Sequence, residues 1–386
     1  MKISALLTAF AVCVGAAAPA CAATTPASPP TPWTCGDRPE LKSALDRVTG
    51  EIALAGAAVE VVDPACGRWG YASGTADLRT GRPMDVRDRL RIGSITKTFT
   101  AATVLQLADE GRLSLDASVE HYLPGLVQGN GYDGTKITVR QLLQQTSGLP
   151  DHSEALATAD VEWLRHHHFT PQDLVRRALR LPPPAHPWHY STTNYILAGL
   201  LIEKATGRPA EAEISRRIIK PLDLHDTYWP GDAERIRGPH SHSYFTTEEN
   251  GKAVRVDGTE WNTTAGGTGG ALVSTPHDVN TFFAALLDGR LLSPARLAEM
   301  RTTVAGDPER LGPDGRYGLG LITEPLSCGG VWTGHTGSTR AGHHGIGAVA
   351  PDGRQVTVVV NETPTTDTAA ATLLAAVDTA LCPPAR

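Results

Sequence analysis

The stretch that decides the fold lies in the first third of the chain and reads Arg91-Ile92-Gly93-Ser94-Ile95-Thr96-Lys97-Thr98-Phe99-Thr100. An apolar, helix-forming run over residues 101–108 follows it, and Gly111 is a typical helix stop. Ser94 is therefore predicted to lie at or near the N-terminus of a helix. Lys97 then lies one turn further along, on the same helix face.

This arrangement suits nucleophilic catalysis. A serine hydroxyl is a weak nucleophile and needs a base within hydrogen-bond reach, and a lysine can be that base in its neutral form. A helix N-terminus also offers backbone N–H groups to a developing oxyanion. Ser94 is the only serine of the chain with a lysine three positions later. The pattern alone leaves an equal alternative, an N-capping serine followed by a solvated lysine.

The start of the chain is typical of a secretory signal. Lys2 precedes an apolar run over residues 3–14, and small residues with cleavage points follow. We predict a signal peptide over residues 1–22, a flexible lead-in over residues 23–34, and a secreted protein without a membrane anchor. Cys21 leaves a lipoprotein as the alternative, but the residues before it lack the large aliphatic side chain that lipoprotein signals carry.

The overall composition excludes several classes of partner. The formal net charge of −6 argues against nucleic acid or an anionic membrane surface. No later apolar run is long enough to span a membrane. With 41% hydrophobic residues, the chain has ample material for a core, and we expect a monomer.

Four cysteines lie beyond the predicted signal: Cys35, Cys66, Cys328 and Cys382. Export favours disulfides, and four cysteines allow three pairings. Proximity in the sequence predicts the pairs Cys35–Cys66 and Cys328–Cys382, each adding roughly 2–4 kcal/mol of stability. Free buried thiols are the alternative.

The distribution of predicted elements indicates how the chain is organised. Strands are predicted near the start and again near the end, including residues 317–322, and helices broken by Pro and Gly lie between them. We expect a sheet domain made of residues 35–112 and 265–386, with a mainly helical domain of residues 113–264 inserted. Ser94 falls at the junction, where pockets tend to form.

Two further motifs bear on the function. The first, Tyr190-Ser191-Thr192-Thr193-Asn194-Tyr195, precedes an amphipathic helix, and the second, Gly334-His335-Thr336-Gly337-Ser338, precedes a strand. Taken singly, the first is explained by helix capping and the second by a plain turn. A glycine-rich turn is also predicted at residues 266–270.

Together, the three motifs resemble the Ser-x-x-Lys, Tyr-x-Asn and Lys/His-Thr-Gly set of the penicillin-recognising serine enzymes. The resemblance is closest to secreted D-alanyl-D-alanine carboxypeptidases that carry His-Thr-Gly, in the group that includes class C β-lactamases and related esterases. It covers nearly the whole mature chain. It implies an α/β (α+β) fold of the β-lactamase/DD-peptidase type, an antiparallel sheet with helices on both faces. It also supports the Cys328–Cys382 bridge.

The resemblance implies a role for each matched residue. Ser94 would be the acylated nucleophile, Lys97 its proton acceptor, and Tyr190 a phenol that carries protons to the leaving amine and later from water. The backbone N–H groups of Ser94 and Ser338 would form the oxyanion hole. The other substrate-binding residues that it implies are Thr192, His335, Thr336 and Gly337.

Two departures from the family pattern concern substrate binding. Thr192 replaces the family's asparagine, and Ile322 stands where related carboxypeptidases carry an arginine for the terminal carboxylate. Arg340 is a candidate replacement for that arginine. The resemblance places His335 and Thr336 against the substrate carboxylate. Since the reference pKa of histidine is about 6.5, we expect recognition of carboxylates to weaken as the pH rises through that value.

Other catalytic chemistries find less support. No Gly-x-Ser-x-Gly elbow occurs, which disfavours an α/β-hydrolase. The run His166-His167-His168 has side chains that point in different directions, and no His-Glu-x-x-His occurs, so we predict a solvated or capping role there and no metal site. The pair His343-His344 receives the same interpretation.

We therefore predict a serine-type D-alanyl-D-alanine carboxypeptidase that needs no cofactor and forms an ester at Ser94. Its substrates would be peptidoglycan peptides, and β-lactams would acylate it. An esterase or a β-lactamase on the same fold is the first alternative. A non-catalytic binding relative is the second, but the intact Ser94, Lys97 and Tyr190 count against it.

Overall fold

The computed structural model describes residues 38–186 and 188–382. The predicted signal peptide, the lead-in and Cys35 lie outside these residues. The described part belongs to one compact unit, Thr34–Arg386, and the division into a sheet domain and a helical domain stays a prediction. Within this part of the chain, every helix is too short or too polar to cross a membrane.

Nine of the strands in the described residues form one large antiparallel sheet. In chain order the strands are β1 Gly56–Asp63, β2 Gly67–Asp77, β3 Arg82–Pro83, β4 Leu90–Arg91, β5 Gln128–Gly129, β6 Tyr132–Asp133, β7 Tyr244–Glu249, β8 Lys252–Asp257, β9 Val273–Ser274, β10 Val304–Ala305, β11 Arg316–Tyr317, β12 Ile322–Pro325, β13 Val331–Ser338, β14 His344–Val349 and β15 Gln355–Val360. The sheet has the order β10-β11-β12-β13-β14-β15-β1-β2-β3. Early and late strands therefore meet where β1 pairs with β15.

The helices lie before, between and after these strands. They are α1 Pro39–Gly50, α2 Thr96–Asp109, α3 Val119–Tyr122, α4 Val139–Gln144, α5 His152–Ala155, α6 Val161–His166, α7 Pro171–Ala178, α8 Thr192–Thr206, α9 Ala210–Ile214, α10 Pro276–Leu287, α11 Pro294–Arg301, α12 Pro308–Leu311 and α13 Asp367–Leu381. Short 3-10 turns lie at Gly93–Ile95 and Gly267–Gly269, and a π-helical turn lies at Ser215–Ile219.

The sheet is covered on both faces, and the alternation of side chains along β15 shows why. Val356, Val358 and Val360 are buried in the cluster that includes residues of α1 and α13. Val359 belongs to the second cluster, and Thr357 donates a hydrogen bond to Asn280 of α10, 2.7 Å away. Side chains two residues apart share a face of a strand. The predicted fold class is thereby confirmed.

Two details of the strands differ from the sequence prediction. Residues 317–322 are not one strand, because the backbone turns between β11 and β12, where the Gly318 N–H donates to the Leu321 carbonyl at 2.8 Å. Gly320 has a φ of +80°, which suits glycine. The hairpin of β7 and β8 was also missed, within the region predicted to be mainly helical.

Candidate active site

The chain reaches Ser94 directly from a strand. Strand β4 pairs with β9, and two residues later the 3-10 turn that contains Ser94 leads into α2. The prediction of a helix start is confirmed, with a 3-10 turn as its first part. The first turns of α2 are buried on all sides, whereas Ser94 is only half-buried. The nucleophile candidate is therefore fixed on a rigid element and still accessible.

The end of β13 lies directly against this turn. An ideal Cβ atom on Gly93 would lie 2.5 Å from the Ser338 carbonyl oxygen, and one on Gly337 would lie 2.0 Å from the Ile92 carbonyl oxygen. Both distances are far below van der Waals contact, so only glycine fits at these positions. The φ of +52° at Gly93 adds a second reason for glycine there. The two glycines bring the backbone at Ser94 and Ser338 close together.

The Lys97 ammonium group lies at the centre of the cluster. Its Nζ donates to Ser94 Oγ at 2.9 Å and to the Gly269 carbonyl at 2.9 Å, and a longer contact of 3.4 Å reaches Thr192 Oγ1. The side chain is fully buried. In the part of the chain that the structure describes, no carboxylate lies within ion-pair distance of it. Lys97 is therefore held by neutral oxygens, one of which is the candidate nucleophile.

Aromatic rings complete the surroundings of Lys97. Its Nζ lies 4.9 Å from the ring centre of Tyr190 and 5.6 Å from that of Tyr195. Tyr190 lines the outer cleft, and the guanidinium carbon of Arg310 lies 4.5 Å from its ring centre. The Tyr190 ring is thus next to both Lys97 and the outer cleft.

Thr192 is the first residue of α8 and occupies the position where the family pattern has an asparagine. Its hydroxyl faces Lys97, and its backbone N–H donates to Asp151 Oδ2 at 2.9 Å. Asn194 cannot supply the missing amide, because its side chain is buried and bonds to Gln145 and Ser147. The structure therefore offers one hydroxyl where the family pattern has an amide.

His335 is not the titrating group that the sequence analysis expected. Its side chain is fully buried, with Nδ1 donating to the Thr336 carbonyl at 2.5 Å and Nε2 lying 3.0 Å from the Tyr317 hydroxyl. Burial and the nearby charge of Lys97 lower its pKa to about 3. The expected loss of carboxylate recognition near pH 6.5 is therefore wrong, because His335 is already neutral there.

These features agree with the comparisons with known proteins. The family model described as Beta-lactamase matches residues 41–380. The chain belongs to the β-lactamase family.

Two solved structures of similar proteins align with most of this chain. A D-stereospecific amidohydrolase from Streptomyces sp. is 40% identical, with a TM-score of 0.76, and the match covers 84% of this chain and 94% of that one. A D-amino acid amidase from Ochrobactrum anthropi SV3 is 26% identical, with a TM-score of 0.75, and the match covers 87% and 98%.

Two curated relatives of this β-lactamase-family chain are matched over only part of their own length. A penicillin-binding protein of Bacillus subtilis (strain 168) is 27% identical over 69% of this chain and 60% of its own length. An esterase of Burkholderia gladioli is 31% identical over 52% of this chain and 54% of its own length. The chain thus spans between half and two thirds of these relatives.

The carboxylate-binding side of this family's site differs most from the pattern. Ile322 is 1% exposed and packs in the core, so nothing at that position reaches a ligand. Arg340 lines the space beside Ser94, where its guanidinium donates to the carbonyls of Leu156 and Ala157 at 2.9 and 3.4 Å. Arg340 is therefore close to Ser94, as a replacement for the missing arginine would have to be, and its guanidinium is bonded to two backbone carbonyls.

The other predicted residues at the end of β13 differ in exposure. Thr336 is half-buried, and Gly337 is buried against Ile92. Ser338 is exposed, and its hydroxyl lies 2.5 Å from His344 Nδ1. Burial lowers the pKa of His344 to about 4, so this imidazole is neutral at pH 7.

Three contributors to the site in this β-lactamase-family protein escaped the sequence analysis. They are the Gly269 carbonyl, the Asp151 carboxylate under Thr192, and the Tyr317 hydroxyl on His335. The glycine-rich turn at residues 266–270 was the available signal for the first. No local pattern marks the other two.

Two further predictions concern the disulfides and the histidine run. Cys328 and Cys382 form a disulfide with Cα atoms 5.6 Å apart, as predicted. Cys66 is also disulfide-bonded, but the Cys35–Cys66 pairing stays a prediction, because Cys35 is outside the described residues. His166 Nδ1 lies 2.9 Å from Glu234 Oε1, which gives this histidine a surface ion-pair geometry. The solvated role expected of His343 is wrong, because its side chain is fully buried.

Proposed function

We propose that this protein is a serine amidohydrolase that hydrolyses amide bonds on the carbonyl side of D-amino acid residues. The observation that carries the proposal is the 2.9 Å contact between Lys97 Nζ and Ser94 Oγ, at a buried lysine without a carboxylate partner among the described residues. The preference for D-residues rests on similarity to the D-stereospecific amidohydrolase and the D-amino acid amidase.

The first half of the reaction acylates Ser94. Lys97 acts as the neutral amine, so its ammonium group first loses a proton to solvent. The amine then takes the hydroxyl proton as Oγ attacks the substrate carbonyl carbon, and the resulting oxyanion lies between the N–H groups of Ser94 and Ser338. The bond between the carbonyl carbon and the leaving nitrogen then breaks. Tyr190 gives its phenol proton to that nitrogen and recovers a proton from Lys97.

The second half releases the acid. A water molecule enters from the cleft, loses a proton through Tyr190 to Lys97, and attacks the ester carbonyl. When the tetrahedral intermediate collapses, Ser94 Oγ leaves and regains its proton from Lys97. The enzyme is restored, and the atoms of one water molecule are added to the substrate.

D-alanyl-D-alanine carboxypeptidase activity is the narrower version of this proposal. It requires a cation for the terminal carboxylate of peptidoglycan peptides. His335 is neutral and buried, and Ile322 is apolar, so that task falls to Arg340 or Arg310. We therefore expect D-amino acid amides without a terminal carboxylate to react faster than acyl-D-Ala-D-Ala peptides.

Ester hydrolysis is the second candidate function. It is favoured by the 31% identity to the Burkholderia gladioli esterase and by the fact that an ester leaving group needs less protonation than an amine. The same acyl-enzyme would form, and Tyr190 would contribute less to the acylation step.

One set of substrates tests the proposal. The protein is incubated with D-alaninamide, L-alaninamide, an acyl-D-Ala-D-Ala peptide, a short-chain ester and a β-lactam, and turnover and intact mass are measured. We expect hydrolysis of the D-amide, none of the L-amide, and a covalent adduct in the wild type that is absent from Ser94→Ala. Turnover of the ester without the D-amide would favour the esterase. An adduct on folded Ser94→Ala would refute the proposed nucleophile.

A further inference from the structure

One buried carboxylate at the site has no part in the reaction steps described above. Asp151 is 7% exposed and lies directly before α5. Its Oδ1 accepts from the Ser153 N–H and its Oδ2 from the Thr192 N–H, each at 2.9 Å. Both donors are neutral backbone groups, so they bind the carboxylate without balancing its charge.

The neighbouring His152 does not balance this charge either. Its ring is buried, its Nε2 donates to the Ala265 carbonyl at 2.8 Å, and its Nδ1 accepts from the Thr193 hydroxyl at 3.2 Å. With the proton on Nε2, no proton is left on Nδ1, which lies 3.8 Å from Asp151 Oδ1. Burial lowers the pKa of His152, and the ring is therefore neutral at pH 7.

Thr192 connects Asp151 to the catalytic lysine. The Thr192 N–H donates to Asp151 Oδ2, and the hydroxyl of the same residue lies 3.4 Å from Lys97 Nζ. Burial by itself would raise the pKa of Asp151, but the two N–H donors and the charge of Lys97 are among the groups that hold it below its ordinary value. Asp151 is therefore ionised at neutral pH, and one residue separates it from the lysine.

The other titratable side chains packed against Lys97 carry no negative charge. Tyr190 and Tyr195 present their ring faces to Nζ, at 4.9 and 5.6 Å from the ring centres. Burial raises the pKa of Tyr195, so this phenol stays neutral. His335 is neutral as well, because burial and Lys97 lower its pKa to about 3.

The remaining charged groups of the outer cleft are in contact with water. Glu154, Asp307 and Arg310 line this cleft together with Asp151. The Glu154 side chain is 54% exposed, and Asp307 and Arg310 are exposed as well. Exposed charges are screened far more strongly than buried ones. Asp151 differs from the other two carboxylates in being buried next to the residue that contacts Lys97.

Acylation creates a charge that needs such a group. When the Lys97 amine takes the proton of Ser94, it becomes an ammonium group in a buried site. We propose that Asp151 is a positioning residue, which holds Thr192 in place and supplies the counter-charge for the Lys97 ammonium group that forms as Ser94 is acylated. The inference rests on the proposed acyl transfer and adds to it the residue that balances its charge.

The test is the pH dependence of kcat/KM for para-nitrophenyl acetate in the wild type and in Asp151→Asn. This ester has no titratable group, and its leaving group needs no proton from Tyr190, so the acidic limb reports the protonation of Lys97. Asparagine keeps an acceptor oxygen but carries no charge. The acidic limb should therefore move down by roughly one pH unit, because the neutral amine becomes available at lower pH. The plateau should fall about three- to tenfold, because the amine is then a weaker base.

Three further variants separate charge from shape. Asp151→Glu keeps the charge and should keep the limb of the wild type even where the plateau falls. Asp151→Ser is a second neutral variant, in case Asp151→Asn does not fold, and it should show the same shift. Glu154→Gln is the matched control, a carboxylate removed from the exposed part of the same cleft, and its limb should stay in place. Ser94→Ala gives the background rate.

Two results would count against the proposal in different ways. A folded, active neutral variant whose rate falls equally at every pH, with an unmoved limb, would limit Asp151 to holding Thr192 and would overturn its role as counter-charge. If the wild type neither turns over the ester nor forms an acyl-enzyme, the proposed acyl transfer itself fails, and the role of Asp151 falls with it.

Discussion

Two buried cations lie three residues before and three residues after Ser94, and the structure treats them differently. Lys97 reaches three oxygens, including the candidate nucleophile. Arg91 uses one of its nitrogens on two carbonyls and leaves Nε and Nη1 without partners in the described chain. Neither cation has a carboxylate within ion-pair distance among these residues.

This difference separates two uses of a buried positive charge. A lysine whose donors are all matched is held against its partners and, once it is neutral, can take a proton from one of them. A cation with unmatched donors keeps an unfavourable desolvation cost in the folded protein. The contrast predicts that changes at Lys97 lower the turnover of every substrate, because Lys97, and not Arg91, contacts the candidate nucleophile.

The largest expected effect comes from removing the matched cation. Lys97→Ala should lower kcat/KM by about 10³–10⁴-fold for all substrates, because Ser94 loses its proton acceptor. Lys136→Ala is the control, since Lys136 lies on the surface with an 80% exposed side chain. Steady-state kinetics on an amide and an ester measure the effect. A loss limited to one substrate would contradict a general role of Lys97 as the proton acceptor of Ser94.

A smaller effect is expected at the neighbouring phenol. Tyr190→Phe keeps the aromatic face 4.9 Å from Lys97 Nζ but removes the hydroxyl, and kcat for an amide should fall about 10²-fold. The ester should lose less, because its leaving group needs less protonation. Tyr122→Phe is the matched control, because the Tyr122 hydroxyl accepts from the Ser114 N–H, 2.8 Å away, at an exposed position. Equal losses for both substrates would argue against proton delivery by Tyr190.

The charge of Lys97 also bears on acid stability through His335. The folded-state pKa of His335 is about 3, lowered by burial and by Lys97, against about 6.5 in the unfolded chain. Between these values the unfolded chain binds the extra proton, so the free energy of unfolding falls as the pH falls. The slope from this one group is up to about 1.4 kcal/mol per pH unit.

The measurement is denaturant unfolding between pH 6.5 and pH 4. His335→Gln should lose stability less steeply than the wild type, and His225→Gln, at an exposed histidine, should follow the wild type. A His335→Gln slope equal to that of the wild type would mean that His335 is protonated in the folded protein.

The smallest effect is expected at the weakest contact of Lys97. Thr192→Val removes a hydroxyl at 3.4 Å from Nζ, so kcat/KM should fall only about three- to tenfold, in line with a net contribution of about 1 kcal/mol for one hydrogen bond. Thr192→Ser should retain most of the activity. A loss as large as that of Lys97→Ala would show that this hydroxyl is essential to the matched state of the lysine.

Much of the site was accessible from local sequence patterns. The position of Ser94 at a helix start followed from the polar-to-apolar change at residue 101 and the stop at Gly111, because helix signals are local. The turn at residues 318–321 was not predicted, since its alternating leucines and glycines also fit a strand. The pKa of His335 was misjudged because the reference value applies to a solvated imidazole, and burial on β13 is a property of the packed sheet.

The sequence by itself determined which chemical groups are present and which of them are neighbours along one helix turn, above all Ser94 and Lys97. Only the tertiary structure decided which of the two buried cations has an acceptor for each of its hydrogen-bond donors. The Gly269 carbonyl that accepts from Lys97 is 172 residues away along the chain, and the carbonyls on Arg91 are 143 and 170 residues away. Hydrogen-bond partners and desolvation depend on such distant segments, and so the unmatched state of Arg91 appears only when the chain is folded.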